Sequence, residues 1–271
     1  MNPYIANTPE EVRKMLSTIG VAAIDDLFAD IRPEHRPRSF DLPRGKSESE
    51  VVGDICRLAA RNRSDLILFL GDGYYDHYVP AAVSALISRA KFYTAYTPYQ
   101  PECSQGTLQA LYEYQSSICA LTGMEVANAS LYDGGTAVYE AAMMALRITG
   151  RNRVIMDGGV SPIYRKILRT YTDNLDIEFV ETPVVHGQSD RAQIARYLDD
   201  KTAAVILQNP NFFGAIDDHS DIVAQAHEKG SLVIESVYPV SLALLKTPGD
   251  MGADIVTGEW QSLGLSLNFC G

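Results

Sequence analysis

The chain has 271 residues, 46% apolar and 21% charged, an ordinary globular composition with length for one large core or two smaller ones. A net charge of −11 with no basic stripe excludes a nucleic-acid duplex as partner, and the acid excess reads as a solvated surface. The apolar run Leu66 to Leu70 is far too short to span a bilayer.

The four cysteines, Cys56, Cys103, Cys119 and Cys270, are scattered and contain no C-x-x-C pair. Neither a metal site nor a disulfide framework is indicated, and reduced thiols fit a cytoplasmic protein. The N-terminus is polar and enters a helix almost at once, unlike a signal peptide.

Thr8-Pro9-Glu10-Glu11 is a helix start: Thr8 caps, Pro9 suits the first turn, and Glu11 closes a capping box. Ser47-Glu48-Ser49-Glu50 repeats the device before a second helix, expected to run to about Asn62. Between them Arg32 to Gly45 is proline-rich and basic, and reads as an extended arm, either a surface linker or a subunit contact. Three tyrosines and two prolines in Tyr93 to Glu102 make a stiff loop, suited to an interface or pocket wall, or to a rigid surface turn.

A long helix is predicted over Thr107 to Thr122, with Leu108, Leu111, Ile118 and Leu121 as its apolar stripe. Another follows from Ala137 to Thr149 and is stopped by Gly150. The pattern then alternates. Strands are expected at Val154–Met156, Ile177–Val180, Ala203–Leu207, Leu232–Glu235 and Asp254–Val256. Helices are expected at Ser161–Tyr171, Asp190–Leu198 and Asp217–Lys229. This predicts an α/β fold, a mainly parallel sheet with helices on both faces. The chain ends at Asn268–Gly271 with no closing helix, so a small C-terminal domain is expected to be absent.

Four features carry chemistry. Asp133-Gly134-Gly135-Thr136 at a helix start could admit a phosphate to the backbone, or be a turn with Thr136 as cap. Gln208-Asn209-Pro210-Asn211-Phe212-Phe213-Gly214 follows a buried strand, either at the ligand edge of a parallel sheet or as a plain loop. Glu235 ends another strand, where pyridoxal-phosphate (PLP) enzymes of this layout carry an aspartate for the pyridine nitrogen. In the turn after Ile255-Val256, Gln261 stands where such enzymes carry the Schiff-base lysine, and glutamine cannot form an imine. Lys201, Lys229 and Lys246 follow no strand at the right place. His77 is either catalytic or bonded to Asp76. The chain therefore reads as the scaffold of a PLP enzyme without its covalent residue, or as a non-catalytic binding protein of that fold.

Tyr96-Thr97-Pro98-Tyr99-Gln100-Pro101-Glu102-Cys103-Ser104-Gln105-Gly106, Tyr75-Asp76-His77-Tyr78-Val79-Pro80 and Asn128 to Ala137 resemble the P-protein family of the glycine cleavage system, over nearly the whole chain. The resemblance is to the N-terminal part of the subunit called 1 or alpha. Trp260 and Cys270 depart from the family's glycine-rich runs.

The resemblance implies a PLP-dependent transferase-like fold of type I, with residues 1–62 as an N-terminal helical segment and arm and 63–271 as the large domain. It implies a heterotetramer in which subunit 2 (beta) supplies the lysine and most PLP contacts. It implies decarboxylation of glycine, with the aminomethyl group passing to the lipoyl arm of H-protein. Tyr96, Tyr99, Gln100, Glu102, Ser104 and Gln105 are then candidates for the shared active site or interface. Gly134, Gly135, Thr136, Asn209 and Glu235 are candidates for a vestigial cofactor pocket.

Overall fold

The structure, a computed structural model, describes residues 6–37, 39, 41–67, 69, 71, 75, 77–93, 96, 97, 100 and 105–265, without the side chain of Gln105. By its internal contacts the chain divides into two units, residues 1–68 and 69–271.

The first unit holds two capped helices. In α1 (Pro9–Ile19) the Glu11 N–H donates to Thr8 Oγ1 at 3.3 Å, and the Thr8 N–H donates to Glu11 Oε2 at 2.7 Å. Gly20, at φ +88°, ends the helix in the left-handed region. The same reciprocal pair, Ser47 with Glu50, opens α2 (Glu48–Ala59), which stops three residues short of the expected Asn62. The stretch expected as an extended arm includes one short turn of 3-10 helix, Pro33–His35.

The second unit begins with α3 (Ala81–Ile87), α4 (Ala90–Tyr93), α5 (Gln105–Thr122) and α6 (Gly134–Thr149). The sheet region then runs β1 (Arg153–Asp157), α7 (Pro162–Thr172), β2 (Glu178–Thr182), β3 (Val184–Val185), β4 (Gln188–Ser189), α8 (Arg191–Tyr197), β5 (Thr202–Asn209), α9 (Ser220–Glu228), β6 (Leu232–Val237), α10 (Pro248–Met251) and β7 (Ile255–Gly258). A 3-10 turn, Trp260–Leu263, follows. Among the described residues no helix is long and apolar enough to cross a membrane.

The five long strands pair in the order β2-β1-β5-β6-β7, all parallel. In β5, Ala203 to Leu207 are fully buried because helices cover both faces, so its apolar residues run without alternation. On one face Val154, Met156, Ala204, Ile206 and Ile234 pack with Val138, Ala141, Ala142 and Ala145 of α6 and Leu168 of α7. The small alanines bring α6 close to the sheet. On the other face Ile155, Val205, Leu207 and Val233 meet Ile194 of α8 and Ile222, Val223 and Ala226 of α9. Each fully buried Ile or Leu contributes roughly 1.5–3 kcal/mol of apolar transfer free energy.

In the second unit, three differences from the sequence expectation bear on the site. Helix α6 starts at Gly134, with Asp133 as cap; Thr136 is its reciprocal partner in the third helical position rather than the cap. Helix α9 starts at Ser220 rather than Asp217, because backbone groups of Asp217 are tied to the Asn209 side chain. The antiparallel β3-β4 ribbon, turning through His186 and Gly187 at φ +52° and +80°, has two-residue strands too short to show a period.

Candidate functional site

The order β2-β1-β5 reverses the winding of the chain between β1 and β5, the switch point where α/β sheets bind ligands at their carboxyl edge. Here the loops after those strands are bonded to each other. Gln208 Oε1 accepts the Ser161 N–H at 2.8 Å, and Gly159 O accepts the Phe212 N–H at 2.7 Å. Asn211 lies against Gly159: an added Cβ there would stand 3.0 Å from its Nδ2. Asn209 bonds across to Asp217 and pins the start of this loop. The Gln208–Gly214 segment is held by its own side chains.

Beside it, β1 ends in Asp157 and β6 carries Glu235. Asp157 is fully buried and accepts hydrogen bonds from the Gly159 N–H at 2.9 Å, Ser189 Oγ at 2.8 Å and Thr182 Oγ1 at 3.3 Å. Burial pushes its carboxyl above the usual range, and those donors only partly oppose the shift. Glu235 shares the strand face of Val233, the face covered by α8 and α9, and meets His219 just before α9. This is the face opposite α6, so Glu235 and the α6 N-terminus lie on different sides of the sheet. Sequence reasoning missed Asp157 and His219; an acid closing an apolar strand run was the available signal for Asp157.

At the N-terminus of α6, read from the sequence as either a phosphate seat or a plain turn, the backbone meets carboxylates of the chain itself. Glu259 Oε1 accepts the Gly134 N–H at 3.0 Å, and Asp133 Oδ1 accepts the Thr136 N–H at 2.8 Å. Thr136 Oγ1 donates to Asp133 O at 3.0 Å. The two glycines are needed for close packing. A Cβ on Gly134 would stand 2.4 Å from Tyr164 Oη and 2.8 Å from Glu259 Cγ, and one on Gly135 would stand 2.4 Å from Ile167 Cδ1.

Gln261 is buried in the turn after β7. This wall belongs to a cleft of about 1240 Å³ whose lining includes Ile118, Tyr132, Gly134, Thr257, Trp260 and Gln261. No lysine is among the described residues lining it. Lys246 instead donates to Ser220 Oγ and Asp218 near the start of α9. A PLP cofactor needs an amine, an open anion seat and a carboxylate aimed at its ring nitrogen. These residues do not fit it: no lysine is among the described residues lining the cleft, Glu259 holds the Gly134 N–H, and Glu235 faces His219.

Of the tyrosine loop, Tyr96 is 95% exposed and Gln100 is exposed, with the Gln100 N–H donating to Thr97 O at 3.0 Å. Tyr99, Glu102 and Ser104 lie outside the described residues, as do Asp76, Cys103 and Cys270; Gln105 is the first residue of α5. The ring nitrogens of His77 approach the carbonyls of Tyr75 and Leu265.

The chain matches the glycine cleavage system P-protein family over residues 2–271. It is 61% identical over 268 residues to the "Probable glycine dehydrogenase (decarboxylating) subunit 1" of Geotalea uraniireducens, covering 99% of this chain and 60% of that protein. The protein of the same name from Oleidesulfovibrio alaskensis is 56% identical over 269 residues, covering 99% and 61%. A crystal structure of a glycine decarboxylase (P-protein) of the glycine cleavage system in inhibitor-bound form superposes with a TM-score of 0.89 at 44% identity, over 99% of this chain and 60% of that one. A cysteine desulfurase from Thermococcus onnurineus, 13% identical with a TM-score of 0.55, shares the fold alone. The fold is thus that of the type I PLP-dependent transferases, and the chain spans about 60% of the length of the relatives it matches.

Proposed function

The chain belongs to the glycine cleavage system P-protein family, and from that premise we propose that it acts as the lysine-lacking subunit of a decarboxylating, aminomethyl-transferring glycine dehydrogenase. The assembled enzyme decarboxylates glycine and passes the aminomethyl group to the lipoyl arm of H-protein. Subunit 2 (beta) supplies the Schiff-base lysine and most of the PLP site, in a cytoplasmic heterotetramer. PLP bound there supplies an electron sink for the bond that carbon dioxide leaves behind.

The observation that carries this reading is Gln261, a residue without an amine at the turn after the last strand of an otherwise retained fold. In this reading residues 1–62 form a helical segment and arm, and 63–271 the large domain. The loop bearing Tyr96, Tyr99, Gln100, Glu102, Ser104 and Gln105 faces the partner's active-site mouth. The exposure of Tyr96 and Gln100 leaves their side chains available for that contact.

The test is to combine this chain with the lysine-bearing subunit and lipoylated H-protein and to follow glycine–bicarbonate exchange. Exchange should need both subunits. Full exchange from the lysine-bearing subunit alone removes the proposed role. A chain that neither binds that subunit nor changes its rate is a non-catalytic protein that keeps only the fold.

A further inference from the structure

At the N-terminus of α6 the turn after β7, a long helix and the cleft meet. A helix start of this kind attracts anions, because its first N–H groups lack intrahelical partners and its dipole is positive there. What fills it is Glu259, 125 residues downstream, whose carboxylate takes the Gly134 N–H. Its Cγ packs where any side chain at position 134 would stand. Asp133 takes the third N–H, and the Thr136 hydroxyl is spent on Asp133 O, so two of the first three N–H groups and the hydroxyl beside them are already engaged. An incoming phosphate dianion would also meet two carboxylates at close range, which repel it.

The same wall carries an unsatisfied polar group. Thr257 is 7% exposed, shares the strand face of Ile255 toward α6 and lines the cleft, yet its hydroxyl has no hydrogen-bond partner. Buried hydroxyls are seldom left unpaired, so this one marks a polar group on the cleft wall that the chain's own atoms do not satisfy.

We propose that Glu259 is a built-in anion that occupies this chain's own oxyanion seat, so that the chain excludes phosphate-bearing ligands, PLP included, from its cradle. This goes beyond the lack of a lysine. Restoring an amine at position 261 would not by itself restore a cofactor site while Glu259 remains. The inference concerns this chain alone, and it stands or falls independently of the assembled activity.

The test uses the full chain, with inorganic phosphate and then PLP as probes, in the native form and as Glu259→Ala and Glu259→Gln. Binding is read by calorimetry, by phosphate-dependent melting temperature and by amide shifts at Gly134 and Gly135. Native chain should show no saturable phosphate binding. Glu259→Ala should bind phosphate at least tenfold more tightly, with shifts centred on Gly134 and Gly135. Glu259→Gln keeps the shape and an acceptor but loses the charge, and should gain less; it serves if the alanine form fails to fold. Native chain that binds phosphate as well as the variants, folded variants that gain nothing, or shifts confined to other amides would each overturn the proposal.

Discussion

His219 Nδ1 lies 3.0 Å from one carboxylate oxygen of Glu235 and 3.1 Å from the other, with the two side chains only 2% and 1% exposed. Burial pushes the Glu235 carboxyl up, and the histidine only partly offsets that. For His219, burial acts downward, but the hydrogen bond and charge of Glu235 outweigh it and raise the imidazole above its ordinary 6.5. Asp157 and Asp217 add negative charge around the pair, and Arg191 opposes it at His219.

Both groups therefore hold protons more tightly in the fold than in the unfolded chain. The stability they contribute is fully present below the unfolded values and is lost as pH rises through the folded ones. Urea stability should fall as pH rises above the ordinary values of 4.5 and 6.5 toward the raised folded ones, and His219→Gln should flatten the part of that slope above 6.5. A native slope no steeper than the variant's removes the histidine as its source.

Removing one partner leaves the other stranded. His219→Ala should cost roughly 1–3 kcal/mol, since it leaves a fully buried carboxyl group without its hydrogen-bond partner. Equilibrium denaturation measures this, and a loss below about 1 kcal/mol would show that water or another group replaces the ring.

Two glycines should respond in opposite directions. A Cβ at Gly249 would stand 2.1 Å from Gly123 O and 2.5 Å from Gly123 C, both backbone atoms that cannot swing away. Gly249→Ala should destabilise by about 3 kcal/mol. Gly106 is the second residue of α5 and, among the described residues, has nothing within 4 Å of its Cβ position. Gly106→Ala should raise stability by up to about 1 kcal/mol through helix propensity. Equal melting temperatures for the two variants would defeat the contrast.

The tyrosine loop gives a kinetic prediction. Because Tyr96 and Gln100 are exposed, Tyr96→Ala with Gln100→Ala should leave the melting temperature of the lone chain unchanged. In the assembled enzyme the double variant should lower exchange about tenfold, roughly 1.4 kcal/mol in barrier terms. Unaltered exchange would make the loop mere surface.

Much of the fold was legible from local pattern. The boxes at Thr8–Glu11 and Ser47–Glu50 form as their spacing requires, and the continuous apolar run Ala203–Leu207 marks a strand buried on both faces. The β3-β4 ribbon was not legible, because its strands are too short for a period. Of the candidate site residues, Gly134 and Glu235 had partners that no local pattern names.

By itself, the sequence determined the alternation of strand and helix, the caps and the absence of an amine at Gln261, because these depend on residues within a turn or two of one another. Only the tertiary structure decided that Glu259 would close the α6 N-terminus, that His219 would take Glu235, and that Gln208 and the Phe212 N–H would hold the loop after β5 against the loop after β1. The physical reason is the strand order β2-β1-β5-β6-β7. It sets distant carboxyl edges side by side, and buried polar groups there must find partners among whatever the sheet brings within reach.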